Sequence, residues 1–163
     1  MREDLYLSRR VFLGLVLPFL LSTSGLGEWK SQRLLAAPGH LGPIIVGKPI
    51  TDAVEALGRP DLIRNSLEDF AAKTYIWGEE ESGGVMGIRV EVDGKGNVIT
   101  IQAQKPARIY TEDGLYLGIP LSKAISASPR ITANSYPSTQ IDRMEFTFFG
   151  FQDQATLGEL WIR

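Results

Sequence analysis

Side chains capable of acid–base, nucleophilic or metal chemistry are scarce in this chain of 163 residues. It contains no cysteine, which excludes disulfides, a thiol nucleophile, a lipidated cysteine and cysteine-ligated zinc. Its single histidine, His40, has no second histidine or cysteine with which to share a metal ion. We interpret His40 as a solvated side chain, and the sequence predicts a protein that is not an enzyme and carries neither cofactor nor metal.

Acidic side chains form two short clusters, and neither has the spacing of a site. The run Glu79, Glu80, Glu81 precedes a serine and two glycines and lacks the ligand pattern of a calcium loop, so it predicts a solvated hairpin tip. Glu112 and Asp113 precede a glycine, as in a turn. The serines have no basic partner in a nucleophile-elbow context. A hydrolase is therefore the least favoured class of function.

The charge balance argues against polyanionic partners. Lysine and arginine number 17 against 19 aspartates and glutamates, for a net charge of -2. A chain without a basic excess has no electrostatic footprint for nucleic acid, so we expect no nucleic-acid binding. The hydrophobic fraction of 44% and the length suit one folded globular domain.

The first 27 residues have the three-part layout of an export signal. Arginines at positions 2, 9 and 10 precede an apolar run over 11–21, and small polar residues follow at 22–25. The apolar run is about half of the roughly 20 residues that cross a bilayer. Small residues at 22–24 and at 35–37 both offer a cleavage position, and the sequence leaves that choice open.

Within this segment, residues 8–14 resemble the twin-arginine translocation signal. The matching residues are Ser8, Arg9, Arg10, Phe12 and Leu13. Gly14 stands where a lysine is usual. A general secretory signal with a chance arginine pair is the alternative. The resemblance implies export in the folded state to a bacterial periplasm or a thylakoid lumen, with membrane contact only transiently through the signal.

The rest of the chain divides into an arm and a domain. Residues 28–43 contain two prolines and two glycines and show no sustained hydrophobic period, which is typical of a linker or extended arm. Residues 44–163 predict a single α+β domain of two repeats, over 44–110 and 115–163.

The repeat is visible as an internal alignment. Residues 46–58 align without gaps to residues 117–129, and four of the thirteen pairs are identical where ordinary composition predicts about one. The identical pairs are Gly47/Gly118, Pro49/Pro120, Ala53/Ala124 and Ala56/Ala127. Apolar residues at i, i+3 and i+4 in both segments predict a short helix that begins just after a proline.

Strand-like segments follow the first helix. Residues 74–77 are rich in aromatic side chains, residues 87–92 alternate apolar and polar positions, and a glycine-rich hairpin over 93–97 leads into a further strand over 98–102. The predicted fold class is therefore α+β, with two tandem helix-plus-antiparallel-meander repeats that form one sheet with short helices packed on one face.

The second copy is incomplete and its last strand is ambiguous. No segment corresponds to the last strand of the first copy, and residues 157–163 do not keep the expected alternation. Leu160 and Ile162 would share one face. The ungapped alignment instead pairs Trp161 with the inward-facing Val90. Because a one-residue slip reverses the faces of a strand, we predict this strand but not its register.

This pattern resembles the β-lactamase-inhibitor-protein-like fold, and it is similar to the small outer-membrane assembly lipoproteins of the SmpA/OmlA type. The resemblance rests on residues 45–47, Val54, residues 57–60, Tyr75, Trp77 and Val98, repeated in part as Leu117, Gly118, Ile125, Phe146 and Phe148. It implies an exported, non-catalytic protein whose sheet contacts another protein. The chain departs from these families in having no cysteine for a lipid anchor and no final strand in its second copy.

Four aromatic residues are candidates for binding a partner, namely Trp77, Phe148, Phe149 and Phe151. The alternative for Trp77 and Phe148 is the hydrophobic core, because an aromatic side chain buries about 150–250 Å². Successive residues of a strand point to opposite faces, so Phe148 and Phe149 cannot both face the core. At least one ring of this cluster is therefore available for contact.

The sequence thus predicts an exported, non-catalytic protein-binding or assembly module of the periplasm or thylakoid lumen, with an unknown protein partner. An alternative function is a carrier of a small apolar or amphipathic ligand held between helix and sheet, with Trp77 and the phenylalanines lining the pocket. The first function rests on the export signal, the duplicated unit and the scarcity of catalytic groups.

Overall fold

A computed structural model describes residues 28–81, 84–151 and 154–163. The predicted export-signal residues Ser8, Arg9, Arg10, Phe12 and Leu13 lie outside the described residues. No helix among the described residues is long and apolar enough to cross a membrane.

The described residues form two short helices and eleven strands, so the class is α+β with a predominance of β structure. The helices are α1 (Ile50–Leu57) and α2 (Leu121–Ala127). The strands are β1 (Arg33–Ala37), β2 (His40–Leu41), β3 (Ile44–Ile45), β4 (Leu62–Asn65), β5 (Lys73–Glu81), β6 (Gly84–Val92), β7 (Val98–Gln104), β8 (Arg108–Thr111), β9 (Ser138–Ile141), β10 (Met144–Phe149) and β11 (Thr156–Ile162). Single 3-10 turns lie at Glu28–Lys30 and Ala133–Ser135.

Seven strands form an antiparallel sheet in the order β4-β5-β6-β7-β11-β10-β9. Strand β7 lies at its centre, between β6 and β11. The three strands that follow α1 lie on one side of β7, and the three strands that follow α2 lie on the other. The helix and the three strands predicted in the first half are confirmed, and all three strands, β5, β6 and β7, are longer than expected.

A second sheet corrects two predictions. Strands β1, β2, β3 and β8 form a four-stranded sheet in the order β3-β2-β1-β8, so the fold has two sheets and not one. Residues 28–43 are consequently part of the fold and not a linker. Trp29, Leu34 and Leu41 are buried, and β1 runs parallel to β8. The sequence signal is weak because β2 and β3 contain two residues each, which is too short to display a period.

Both helices begin after a proline, as predicted. Pro49 and Pro120 have φ near -60°, which suits the position before the first helical turn. Helix α1 buries Ile50, Ala53 and Leu57, and it ends at Gly58, whose φ of +83° favours glycine. The helices are short, so their stability comes from burying these residues and not from helix propensity.

One hydrophobic core joins all of these elements. It lies between one face of the seven-stranded sheet, here called the core face, and a layer formed by the two helices and the small sheet. Its residues include Ile50, Leu121, Leu34, Ile44, Ile109, Ile88, Val90, Ile101, Leu160 and Phe146. The Trp77 indole N–H donates to the Gly58 carbonyl at 2.8 Å, which ties the sheet to the end of α1.

The pairing of β10 with β11 gives the register that the sequence left open. The ladder is regular from Met144 to Thr147 and then shifts by one residue, because Gly158 is an extra residue on β11. This β-bulge brings Leu160 and Ile162 onto the core face, opposite their partners on β10. The strand predicted from the sequence is therefore present, with its faces reversed relative to the ungapped alignment.

Candidate functional site

The face of the seven-stranded sheet opposite the core, here called the outer face, carries polar and aromatic side chains. Strand pairing aligns Arg89, Gln102 and Trp161 across β6, β7 and β11, and it aligns Glu91 with Thr100. Their sequence neighbours, by contrast, belong to the core, with the exception of Ile99, which lies at a register shift of β7. This alternation follows from the period of two along each strand. The outer face is therefore the surface on which polar side chains of distant segments meet.

A buried charge network organises the part of this face near β6. The Glu91 carboxylate is 1% exposed and accepts hydrogen bonds from the Thr74 hydroxyl at 2.9 Å and from the Arg89 Nε at 2.7 Å. A second guanidinium nitrogen of Arg89 lies 2.5 Å from Glu91, and it also lies 3.4 Å from Glu68. The fold tolerates this buried carboxylate because its partners compensate the charge. Removing one of them would destabilise the folded state, since burying an unpaired charge costs free energy.

A groove of about 740 Å³ lies beside this network. Its lining includes the aromatic rings of Phe70 and Trp161 and the guanidinium groups of Arg143 and Arg163. Arg163 lies 3.3 Å from Glu145. Arg143 forms no ion pair with any residue in the described part of the chain. The Phe70 side chain is 59% exposed, so the groove has an apolar rim as well as a cationic one.

The hairpin of β5 and β6 closes one end of the outer face. Arg64 pairs with Thr74 in the ladder, yet its guanidinium lies 2.6 Å from Glu80. A straight strand would separate Thr74 from Glu80 by about 20 Å, so β5 must bend back between them. The bend coincides with the facing pair Gly78 and Gly87, whose φ values are +135° and +131°.

Glycine is required at this pair, because a Cβ on Gly78 or Gly87 would collide with the backbone of the facing strand. The Gly78 N–H also donates to the Asp61 carboxylate at 2.6 Å. Ile76 and Val85 are buried here, although neither belongs to the main core. The tip of the hairpin therefore covers a small apolar patch on the outer face.

Two of the four predicted partner-binding residues are core residues. Trp77 is 0% exposed and Phe148 is 2% exposed, so their prediction as partner contacts is wrong. The physical reason is their parity on β5 and β10, which directs both rings to the core face. The other two, Phe149 and Phe151, are 50% and 83% exposed. The Phe149 ring lies over Gly158 on the outer face, where the absence of a side chain makes room for it.

The burial of Trp77 and Phe148 also bears on the predicted ligand pocket between helix and sheet. Both rings are packed among core residues that include Ile50 and Leu57 of α1. The groove on the outer face has no residue of either helix in its lining. The geometry therefore gives the carrier function no support.

Sequence reasoning missed Trp161, Phe70 and Arg143 as surface residues. The ungapped alignment pairs Trp161 with a core valine, and the bulge at Gly158 reverses that assignment. The alternation of Leu160 and Ile162 was the available signal, because it requires the residue between them to face outward. Phe70 lies in the loop between β4 and β5, where no periodicity exists to indicate exposure.

The groove is not accompanied by a metal-binding cluster among the described residues. The described residues contain no group of three or more histidine, cysteine, aspartate or glutamate side chains placed to hold a metal ion. His40 lies on β2 in the small sheet, away from the groove lining. The site offers aromatic contact, guanidinium charge and hydrogen bonding, which are means of recognition.

A second polar cluster fastens the turn after β8 to the end of α2. The Asp113 carboxylate accepts hydrogen bonds from the hydroxyls of Thr111 and Ser128, both at 2.5 Å, and lies 3.1 Å from Arg130. Burial raises the pKa of Asp113, but the hydrogen bonds from Ser128 and Thr111 and the charge of Arg130 outweigh it and hold the pKa below its usual value. Arg130 also lies 3.1 Å from Asp142.

Comparison with known proteins identifies no family. No protein-family model matches the chain, and no curated protein matches it. Among solved structures, the chain is similar to a cysteine-rich secretory protein from Staphylococcus aureus, with 14% identity and a TM-score of 0.44. The match covers 83% of this chain and 48% of that chain, so this chain spans about half the length of that protein.

Proposed function

We propose that the protein is an exported, non-catalytic protein-binding or assembly module of the periplasm or thylakoid lumen, and that it binds its partner through the outer face of the seven-stranded sheet. The observation that carries this proposal is the convergence of Phe70, Trp161 and Arg143 around the groove of that face. The opposite face of the sheet is occupied by the protein's own core. Only the outer face is therefore free to receive another molecule over several strands.

The residue types around the groove suit a protein partner. Tryptophan, tyrosine and arginine dominate the binding energy of protein interfaces, usually as anchors surrounded by weaker contacts. Trp161 and Phe149 lie on the same face, and Arg143 has no acidic partner among the described residues. The expected partner surface contributes apolar side chains together with a carboxylate for Arg143.

An unpaired sheet edge extends this surface. Strand β4 is the outermost strand of the seven-stranded sheet, and its Leu62 and Ile63 are 39% and 50% exposed. An edge strand with exposed apolar residues is a template for pairing with another chain. A partner strand that pairs with β4 would lie beside the loop that carries Phe70.

We also propose that the sheet arose by tandem duplication of one unit, as in the β-lactamase-inhibitor-protein-like fold. One unit would consist of α1 with β4, β5 and β6, and the other of α2 with β9, β10 and β11. The equal order of these elements and their mirrored positions about β7 support this proposal. The twin-arginine resemblance of residues 8–14 supports export of the folded unit.

Site-specific photo-crosslinking in the expressing cell tests the proposal. A photoreactive benzoylphenylalanine in place of Phe70 should give a discrete adduct of higher mass, and the same group in place of Ile125 should not. Ile125 is the matched control because it is an exposed apolar residue on α2, away from the groove.

The adduct should also depend on the groove itself. Combining the probe at position 70 with Trp161→Ala or Arg143→Gln should reduce its yield several-fold, because each change removes an anchor. Identical adducts from positions 70 and 125, or a yield at position 70 that is indifferent to both substitutions, would contradict binding through the outer face.

A further inference from the structure

A second groove, of about 520 Å³, runs beside strand β8. Its lining contains three cationic side chains, Arg33, Lys105 and Arg108, and two tyrosines, Tyr110 and Tyr116. No aspartate or glutamate lines it. None of the three cations forms an ion pair with a residue of the described ranges 28–81, 84–151 and 154–163. We call this surface the basic groove.

The basic groove concentrates positive charge on a chain whose net charge is negative. All three cations are exposed, and the adjoining cleft that Lys105 also lines contains both Lys30 and Glu79, so the uncompensated positive charge is confined to the basic groove. Like charges held close together repel each other, and this repulsion lowers the stability of the folded state unless an anion neutralises the charges. The arrangement is therefore that of a binding surface that lacks its counter-charge.

The shape of the basic groove follows a strand. Residues 105–111 line it without interruption, of which Arg108–Thr111 form strand β8, about 10 Å of extended chain, and 105–107 form the turn that precedes it. Strand β8 is the last strand of the small sheet, and on its far side Tyr110 forms one isolated bridge, with Tyr116. Ile109 and Leu117, whose side chains are buried in the core, lie at the floor of the groove.

One cation is held in place by an aromatic ring. The Arg33 guanidinium lies 4.7 Å from the centre of the Tyr110 ring, in a cation–π arrangement. This contact orients the guanidinium without neutralising its charge, so its N–H groups remain available. Arg33 is brought to this position by the parallel pairing of β1 with β8, in which Arg33 faces Arg108.

We propose that the basic groove binds an extended, acidic segment of a partner protein. Its carboxylates would pair with Arg33, Lys105 and Arg108, and alternate apolar side chains would contact the floor of the groove. A concave groove as long as a strand fits an extended chain better than it fits the flat surface of a bilayer. This ligand goes beyond the proposed function, because no residue of the basic groove lines the groove of the outer face.

Fluorescence anisotropy of a labelled heptapeptide of alternating glutamate and valine, titrated with the full chain, tests the proposal. The combined variant Arg33→Gln, Lys105→Gln, Arg108→Gln should weaken binding roughly tenfold or more, since it removes three charge pairs. The matched control is Lys48→Gln, Arg59→Gln, Lys73→Gln, which removes the same net charge from exposed positions outside the groove and should bind as the wild type does. Wild-type binding should also weaken with added salt.

Three results would overturn the proposal. The first is equal affinity of the combined variant and its control. The second is tighter binding of oligothymidylate or of phosphatidylglycerol vesicles than of the peptide, which would assign the groove to nucleic acid or to membrane. The third is loss of peptide binding in Trp161→Ala, which would move the peptide to the outer face. If the combined variant does not fold, Arg108→Glu is measured against Lys73→Glu with the same expectation.

Failure of the outer-face crosslinks is distinguishable from failure of this experiment. The two use different residues and different readouts, and the peptide titration requires no native partner.

Discussion

The two grooves differ in how their cations are neutralised. On the outer face, Arg89 is paired with Glu91 and Glu68, and Arg163 is paired with Glu145. Arg143 alone of the three arginines that line the outer-face groove lacks a carboxylate partner among the described residues. In the basic groove, the cations lack carboxylate partners among the described residues. Charges of the first kind are part of the fold, and charges of the second kind are free for recognition. Substitutions in the two grooves should therefore affect different properties.

The largest expected effect is on the buried network. Glu91→Ala leaves the Arg89 guanidinium and the Thr74 hydroxyl without their main partner, and it should lower the free energy of unfolding by about 3–5 kcal/mol. Arg108→Ala in the basic groove should change it by no more than about 0.5 kcal/mol. Urea denaturation followed by tryptophan fluorescence measures both. Glu55→Ala, an exposed carboxylate on α1, is the control. Equal effects of Glu91→Ala and Arg108→Ala would erase the distinction between the grooves.

The second effect concerns the bend that closes the outer face. Gly87→Ala places a side chain on a residue with positive φ, where its Cβ would collide with the facing strand. The substitution should lower the free energy of unfolding by about 2–3 kcal/mol. The matched control is Gly94→Ala in the hairpin turn, where a Cβ meets nothing within 4 Å. It should have little effect. Comparable denaturation midpoints for the two variants would show that the bend is not constrained by this glycine pair.

The third effect is a pH dependence of the free energy of unfolding, and it arises from Asp113 in the turn at the end of the basic groove. Because the folded-state pKa of Asp113 is lowered, its contribution to stability is present above the unfolded pKa of about 3.9 and is lost as pH falls through the folded value. Asp113→Asn should therefore be destabilising at pH 7, by about 1 kcal/mol, since its ion pair with Arg130 is partly exposed.

The difference between wild type and Asp113→Asn should shrink as pH falls below about 4. Urea midpoints at neutral and acidic pH check this prediction. A difference that stays constant across that range would mean that the carboxylate charge is not what stabilises the turn.

The smallest expected effect is the coupling between Arg33 and Tyr110. A double-mutant cycle with Arg33→Gln and Tyr110→Leu should give a coupling energy of about 0.5 kcal/mol, the value for an exposed cation–π contact. Replacing Tyr110→Leu with Tyr116→Leu should give no coupling, because Arg33 has no ring contact with Tyr116. A larger coupling with Tyr116 would require a different orientation of the guanidinium.

Local sequence patterns predicted the two helices and the central strands of the seven-stranded sheet, whereas its edge strands β4 and β9 were not predicted. The prolines before α1 and α2, the alternation along β6 and the glycine-rich turn before β7 are signals that lie within each element. They are reliable because the period and the turn chemistry are dictated by neighbouring residues.

The small sheet and the candidate sites depended on contacts that no local pattern encodes. Strand β1 finds its partner β8 more than seventy positions further along the chain, so Arg33 and Arg108 could not be associated from the sequence. The outward direction of Trp161 depends on one extra residue, Gly158, which an ungapped alignment conceals. The exposure of Phe149 was predictable, because it follows from alternation alone.

The incorporation of β1 into the fold limits where the proposed export signal could be cleaved. Cleavage after Ala37 would delete the whole of β1 and the buried Trp29, and it would leave β8 without its parallel neighbour. Under the proposed export, a cut that leaves this fold intact would therefore come before Trp29, for which the small residues at 22–24 are the candidate positions. Maturation and folding would then be linked, because a segment shortly after the cut becomes an internal strand of the folded molecule.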